Sequence, residues 1–293
     1  MGFDVGADAY GRFMGRFAEP LAVRFAGAAG VTRGQRALDV GCGTGALTAE
    51  LVVRLGPEAV SAVDPSAPFV EAARVRLPGV EIRRAAAELL PFPDGGFDVT
   101  LAQLVVHFMT DPVAGLREMA RVTRPGGVVA ACVWDHAGGR GPLTVFWQAV
   151  RSLDPDAYDE SGLAGAREGD LADLFAAAGL HDVRSSMLTV RTSYASFDQW
   201  WEPYTLGGGP GRGPRPAARR GGPRGVARQV RVTARRPVAG GGPGLGLDGD
   251  RPDALGGQPA KSTPASGTPR YAASRSASTT TASRALPGSL RHG

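Results

Sequence analysis

Apolar residues recur at helical spacing from Tyr10 to Ala29, where Phe13, Phe17, Leu21 and Phe25 form one stripe, so the chain is expected to begin with a packed helix. The pattern then changes. Short apolar runs at Arg36–Val40, Ala59–Val63, Val80–Arg84, Phe97–Leu101 and Val128–Trp134 read as strands, each too short for a helix. Between them lie amphipathic stretches: Ala46–Leu55, with Leu47, Leu51 and Leu55 on one face; one starting near Pro68; and one starting at Asp111-Pro112, with Leu116, Met119, Ala120 and Val122 turned inward. Pro142–Leu153 and Arg167–Ala178 read as further helices, Gly179 ending the second, and Val183–Val190 as a sixth strand. Phe197, Trp200, Trp201 and Tyr204 form an aromatic cluster suited either to line an apolar acceptor site or to cover the core. Alternating strands and helices predict an α/β fold, a doubly wound, mostly parallel Rossmann-like sheet with helices on both faces.

The stretch Leu38-Asp39-Val40-Gly41-Cys42-Gly43-Thr44-Gly45 joins the first strand to its helix. Glycines at alternate positions let a ligand approach bare backbone, and the N–H groups of the first helical turn favour anionic groups. Two ligand classes fit. Gly41-x-Gly43-x-x-Ala46, with Asp64 downstream, satisfies a loose dinucleotide fingerprint. Asp39, two residues before the first glycine, would repel a pyrophosphate and attract a cofactor carrying an ammonium and a sulfonium. S-adenosylmethionine (SAM) carries both, and the charge favours it. Asp64, just past the second strand, stands where open α/β sheets bind ligands and could accept both ribose hydroxyls; capping the next helix is its alternative role.

With these residues in place, the chain resembles the class I SAM-dependent methyltransferases, most closely the branch of ubiquinone- and menaquinone-biosynthesis enzymes. The resemblance spans Tyr10 to Leu206. It rests on the glycine motif, Ala62-Val63-Asp64-Pro65-Ser66, Leu90-Pro91-Phe92-Pro93-Asp94 with Phe97-Asp98, and Arg124-Pro125-Gly126-Gly127. It implies a cofactor site built from Asp39, Gly41, Gly43, Gly45, Asp64, Ala87 and Gln103, with Tyr10 closing it from the N-terminal segment. Ala86 departs from the family pattern, in which an Asp accepts a hydrogen bond from the adenine amino group. Its loss should cost about 1 kcal/mol of cofactor affinity, while Ala87 still offers a backbone N–H.

Methyl transfer from a sulfonium needs a general base only where the nucleophile must lose a proton. The segment after the fourth strand brings His107, flanked by Val106 and Phe108, to the border of the transferring group; a packed core histidine is the alternative reading. Trp134-Asp135-His136 stands at the end of the fifth strand, followed by an expected flexible stretch, Ala137–Gly141, so Asp135 and His136 form a second candidate pair. Cys42 and Cys132 allow neither a disulfide framework nor a cysteine metal site, and no metal is expected.

Composition divides the chain. The net charge of +5 over 293 residues hides an acidic part up to Leu206, with 18 Arg against 25 acidic residues. Beyond it, 14 Arg and one Lys face three Asp, and Gly, Pro, Arg, Ala, Ser and Thr dominate. A methyltransferase domain is therefore expected over 1–206 and a low-complexity, disordered tail over 207–293, since the tail has little apolar surface to offset the entropy of ordering. The sheet is expected to lack its last family strand, and two origins are open for the tail: a GC-rich gene read out of frame, or a genuine basic arm contacting nucleic acid. No signal peptide or membrane span is expected, which points to the cytoplasm. The expected function is SAM-dependent methylation of a small molecule. Two alternatives differ in class: a non-catalytic remnant of the SAM fold, and a nucleic-acid methyltransferase using the basic tail. The acidic folded part argues against the second.

Overall fold

Residues 7–157, 159–205 and 271–283 are described by the computed structural model, with side chains from Met14 to Glu202 except Tyr158. The chain runs α1 (Ala7–Ala28), β1 (Ala37–Val40), α2 (Ala46–Leu55), β2 (Val60–Asp64), α3 (Ala67–Arg76), β3 (Glu81–Arg84), β4 (Phe97–Gln103), α4 (Pro112–Val122) and β5 (Thr123–Trp134). It continues through α5 (Thr144–Leu153), α6 (Asp170–Ala177), β6 (His181–Tyr194), α7 (Phe197–Thr205) and β7 (Tyr271–Ser283). The strands form one sheet in the order β3-β2-β1-β4-β5-β7-β6. The first five pair in parallel, and β7 lies antiparallel between β5 and β6. Strand order reverses beside β1, and there the C-terminal ends of β1 and β4 open the crevice in which α/β sheets bind ligands.

All four residues of β1 are buried, which is why it reads as an apolar run broken only by Asp39. One core layer packs Phe17, Leu21 and Phe25 of α1 with Leu47 and Leu51 of α2 and with Phe197 and Trp200 of α7. The other packs Leu116 and Met119 of α4 with Leu171 and Phe175 of α6. Asp111 caps α4 as expected, its carboxylate accepting from Ala114 N at 2.9 Å, and Pro112 opens the helix. Phe197, Trp200 and Trp201 pack on one another and on Phe146, so these rings cover the core; the Tyr204 side chain lies outside the described residues.

Two expectations are corrected. The Arg124–Gly127 turn is absorbed into β5 as an irregularity: Phe97 pairs with Thr123 and Val99 with Val128, and the intervening residues bulge. The strand expected to be missing is present, because Tyr271–Ser283 of the expected disordered tail forms β7, pairing Trp134 with Ala277 on one side and Leu188 with Ala277 on the other. A strand held on both edges satisfies its backbone groups without an apolar sequence, and the Thr279–Thr281 run favours extended backbone. The rest of the expected tail lies outside the described residues. Among the described residues, no helix is long and apolar enough to cross a membrane.

Candidate active site

The glycine turn owes its shape to backbone that other residues resist. Gly41, Gly43 and Gly45 have φ of 73°, 55° and 85°. At Gly41 the need is also steric, since a Cβ there would stand 2.3 Å from Val105 Cγ2. The Gly41 and Cys42 N–H groups donate to Val63 O at 2.8 and 2.9 Å, tying the turn to the end of β2. Asp64 fastens the same corner: one carboxylate oxygen accepts from Gly43 N at 2.9 Å, the other from Ser66 N at 2.8 Å. Burial raises the Asp64 carboxyl above its usual range.

Asp39 is 1% exposed. Its Oδ2 accepts from Thr48 Oγ1 at 2.6 Å, while Oδ1 is sealed from water without a protein partner. Burial pushes this carboxyl up to about 7, with the Thr48 hydrogen bond pulling the other way. Gln103, at the end of β4, presents the same situation: Nε2 donates to Ala18 O of α1 at 3.0 Å, and Oε1 is buried and unpartnered. Both residues line a cavity of about 80 Å³, together with Gly41, Gly43, Thr44, Leu104, Arg76 and, from α1, Gly15, Ala18 and Glu19. Leu104 turns the chain at this edge with φ 61°, a conformation rare for a non-glycine residue.

Helix α1 lies across this cavity. Besides the Gln103 bond, Glu19 pairs with Arg76 of α3 at 2.8 Å, and Arg76 also reaches Thr44 O at 3.4 Å. Of the residues expected in the cofactor site, Asp39, Gly41, Gly43 and Gln103 line the cavity, Gly45 shapes its turn, and Asp64 stands behind it bracing Gly43. Ala87, whose expected contribution is its backbone N–H, packs its side chain into the core layer under α4. The Tyr10 side chain lies outside the described residues.

A second cluster lies past the ends of β4 and β5. His107, in the 3-10 turn Val106–Phe108, stacks edge-on to His136 with ring centroids 6.1 Å apart. His136 Nδ1 faces Glu160 Oε2 at 3.5 Å, and the same oxygen accepts from Trp147 Nε1 at 3.2 Å. Burial lowers His107 to about 3 and His136 to about 4, and raises Glu160 to about 7. The expected pairing of Asp135 with His136 is corrected. Asp135 is 1% exposed and committed to Arg140 Nε and Gly138 N, at 2.5 and 2.7 Å. The expected flexible stretch is therefore tied down, and its glycines serve close approach: a Cβ on Gly138 would stand 2.3 Å from Asp135 Oδ2, and one on Gly141 2.9 Å from His136 Nδ1.

Sequence reading missed Thr48, Leu104, Glu19, Arg76 and Glu160. Only Thr48 left a trace, as a polar residue on the buried side of α2. The motifs at the opposite end of the sheet are architectural. Asp98 bonds Arg124 Nε and Arg36 N at 2.6 and 2.7 Å, and Arg121 bonds Asp94, Glu118, Phe92 O and Leu90 O.

A methyltransferase-domain family model matches residues 38–131. The demethylmenaquinone methyltransferase of Mycobacterium sp. (strain KMS) is 35% identical over 178 residues, covering 55% of this chain and 74% of that protein. The rice chloroplastic 2-methyl-6-phytyl-1,4-hydroquinone methyltransferase 2 is 34% identical over 155 residues, covering 52% of this chain and 41% of that one. Among solved structures, the YcgJ protein of Bacillus subtilis superposes with a TM-score of 0.52 at 17% identity, over 92% of this chain and 99% of that one, a likeness of fold.

Proposed function

Since this chain belongs to the class I SAM-dependent methyltransferases, we propose that it methylates a small aromatic acceptor of the quinol type by in-line displacement. The observation that carries the reading is the pair of buried, unpartnered acceptors, Asp39 Oδ1 and Gln103 Oε1, on one cavity beside the glycine turn. Two orphaned oxygens, one a carboxylate, call for a cationic donor. The α-ammonium of SAM is such a group, whereas a pyrophosphate would meet repulsion from Asp39.

Bound SAM supplies an activated methyl carbon whose sulfonium leaves as a neutral thioether. The chain's own part is positioning. Asp39, oriented by Thr48, and Gln103, oriented by Ala18 O, hold the ammonium end. Asp64 keeps the Gly43 turn in register and, with two acceptor directions left on its carboxylate, supports the ribose reading. The α1 helix lies over the site through Gly15, Ala18 and Glu19. The quinol class enters through the named relatives, which act on demethylmenaquinone and a phytyl hydroquinone.

The test is to incubate the full chain with methyl-labelled SAM and a reduced 1,4-naphthoquinone, then follow label into the organic phase. Label transferred in wild type and lost in Asp39→Asn supports the reading. Tight SAM binding without transfer to any quinol, phenol or amine would leave a SAM-binding protein and overturn it.

A further inference from the structure

We propose that His136, held by Glu160, is the base that takes a proton from a hydroxyl of the acceptor, and that His107 anchors the same acceptor through Nδ1. The inference rests on the methyltransferase reading above and adds the chemistry of its acceptor: a phenol or enol, whose nucleophile must shed a proton, rather than an amine that is already free.

Three titratable side chains from three separate segments meet at one end of the sheet: the turn after β4, the loop after β5, and the loop before α6. That end is also where Gln103 and Leu104 border the cofactor cavity, and His107 follows Leu104 by three residues. His107 Nδ1 is shielded from water and has no protein partner, which points to a polar ligand atom. The His136 side chain is 8% exposed and its Nδ1 lies 3.5 Å from Glu160 Oε2. That contact leaves Nε2 as the nitrogen able to accept.

Glu160 is not a bystander carboxylate. Trp147 Nε1 fixes it by donating to Oε2 at 3.2 Å, and the lack of a side chain at Gly141 leaves space beside His136 Nδ1. In the step, the acceptor O–H bond breaks, the proton passes to His136 Nε2, and the electron pair stays on oxygen as a phenolate. The new imidazolium would face the ionised Glu160 carboxylate, 3.5 Å from Nδ1. The resulting phenolate is nucleophilic at oxygen and, by delocalisation, at ring carbon.

Burial is the largest influence on His136 and disfavours the imidazolium, and the surrounding carboxylates work against that effect. Asp135 and Asp159 both raise its basicity, although Arg140 occupies the first and Arg151 the second; His107 is the opposing neighbour. At neutral pH both histidines are neutral, and Glu160 ionises through about 7. Proton uptake from the acceptor should therefore strengthen as pH rises through that value.

The probe is 4-nitrophenol, added to the full chain saturated with S-adenosylhomocysteine, with the phenolate absorbance followed against pH. The proposal expects bound probe to ionise at a lower pH than free probe, by about one unit or more. His136→Gln should abolish that shift. Glu160→Gln keeps an acceptor for Trp147 and should move the midpoint back toward free probe, and His107→Phe should weaken probe binding at least several-fold. Circular dichroism establishes that each variant is folded, and SAM titration of the same samples separates the two readings. SAM binding retained in all variants with the probe shift lost in His136→Gln supports the proposal. Equal shifts in wild type and both His136 and Glu160 variants would overturn it, as would failure of the saturated protein to bind the probe. Loss of SAM binding in wild type would instead overturn the function on which it rests.

Discussion

The Thr48 hydroxyl donates to Asp39 Oδ2 at 2.6 Å with both side chains sealed from water, so the first turn of α2 and the β1 strand are locked together through one carboxylate. Thr48→Val leaves that oxygen buried without a donor, a loss of about 1–3 kcal/mol. Removing a hydrogen bond that favours the ionised form also raises the Asp39 pKa further, so SAM binding in the variant should need a higher pH. Urea unfolding and a pH series of SAM titrations measure the two effects.

Asp39 also sets a sign for stability. Its folded pKa of about 7 lies above the value of 3.8 expected in the unfolded chain, so the folded form binds more protons between those limits. Its contribution to stability should fall as pH rises from about 4 to 7. Asp39→Asn removes this slope, and the stability difference between variant and wild type, followed by denaturant unfolding across that range, should grow in favour of the variant. A pH-independent difference would contradict the burial argument.

Gly41 and Gly43 should respond unequally to alanine. Both have positive φ, a conformation that costs an L-residue roughly 1–2 kcal/mol. Gly41→Ala adds a clash with Val105, whereas a Cβ on Gly43 meets nothing within 4 Å. The Gly41 variant should be the less stable by chemical denaturation and should lose SAM binding, while the Gly43 variant keeps its fold.

Much of this site was legible because its chemistry lies in contiguous residues. Asp39 and the alternate glycines announce a strand, a ligand-approachable turn and a cation preference together. The missing information is non-local. Glu160 meets His136 from a loop 24 positions away in sequence with no periodicity to place it. The preference for Asp135 as partner came from adjacency, but consecutive residues at a strand end diverge, and Arg140 claimed the nearer carboxylate. The tail was misread over Tyr271–Ser283 because apolar content was taken as the condition for order, while a strand between β5 and β6 is ordered by its two ladders.

The α1 cover predicts a kinetic effect. The cavity of about 80 Å³ is smaller than the ~300 Å³ and above of sites that hold ligands of SAM's size, so α1 must yield for SAM to enter. The Glu19–Arg76 pair that pins it is exposed, with side chains 57% and 39% accessible. Such a pair contributes about 0–1 kcal/mol to stability. Glu19→Ala should therefore leave the unfolding midpoint nearly unchanged and raise the SAM association rate in stopped-flow measurements.

The central claim is that the buried Asp39 carboxylate recognises the ammonium of SAM. Calorimetric titration of SAM into the full chain and Asp39→Asn, at pH 6 and pH 7.5 in buffers of different ionisation enthalpy, tests it most directly. The account predicts proton release on binding at pH 6, tighter wild-type binding at pH 7.5, and an Asn variant about 10–100-fold weaker at the higher pH, the range expected for a charge-assisted hydrogen bond. Binding of equal strength in both proteins at both pH values, with no proton released, would contradict it.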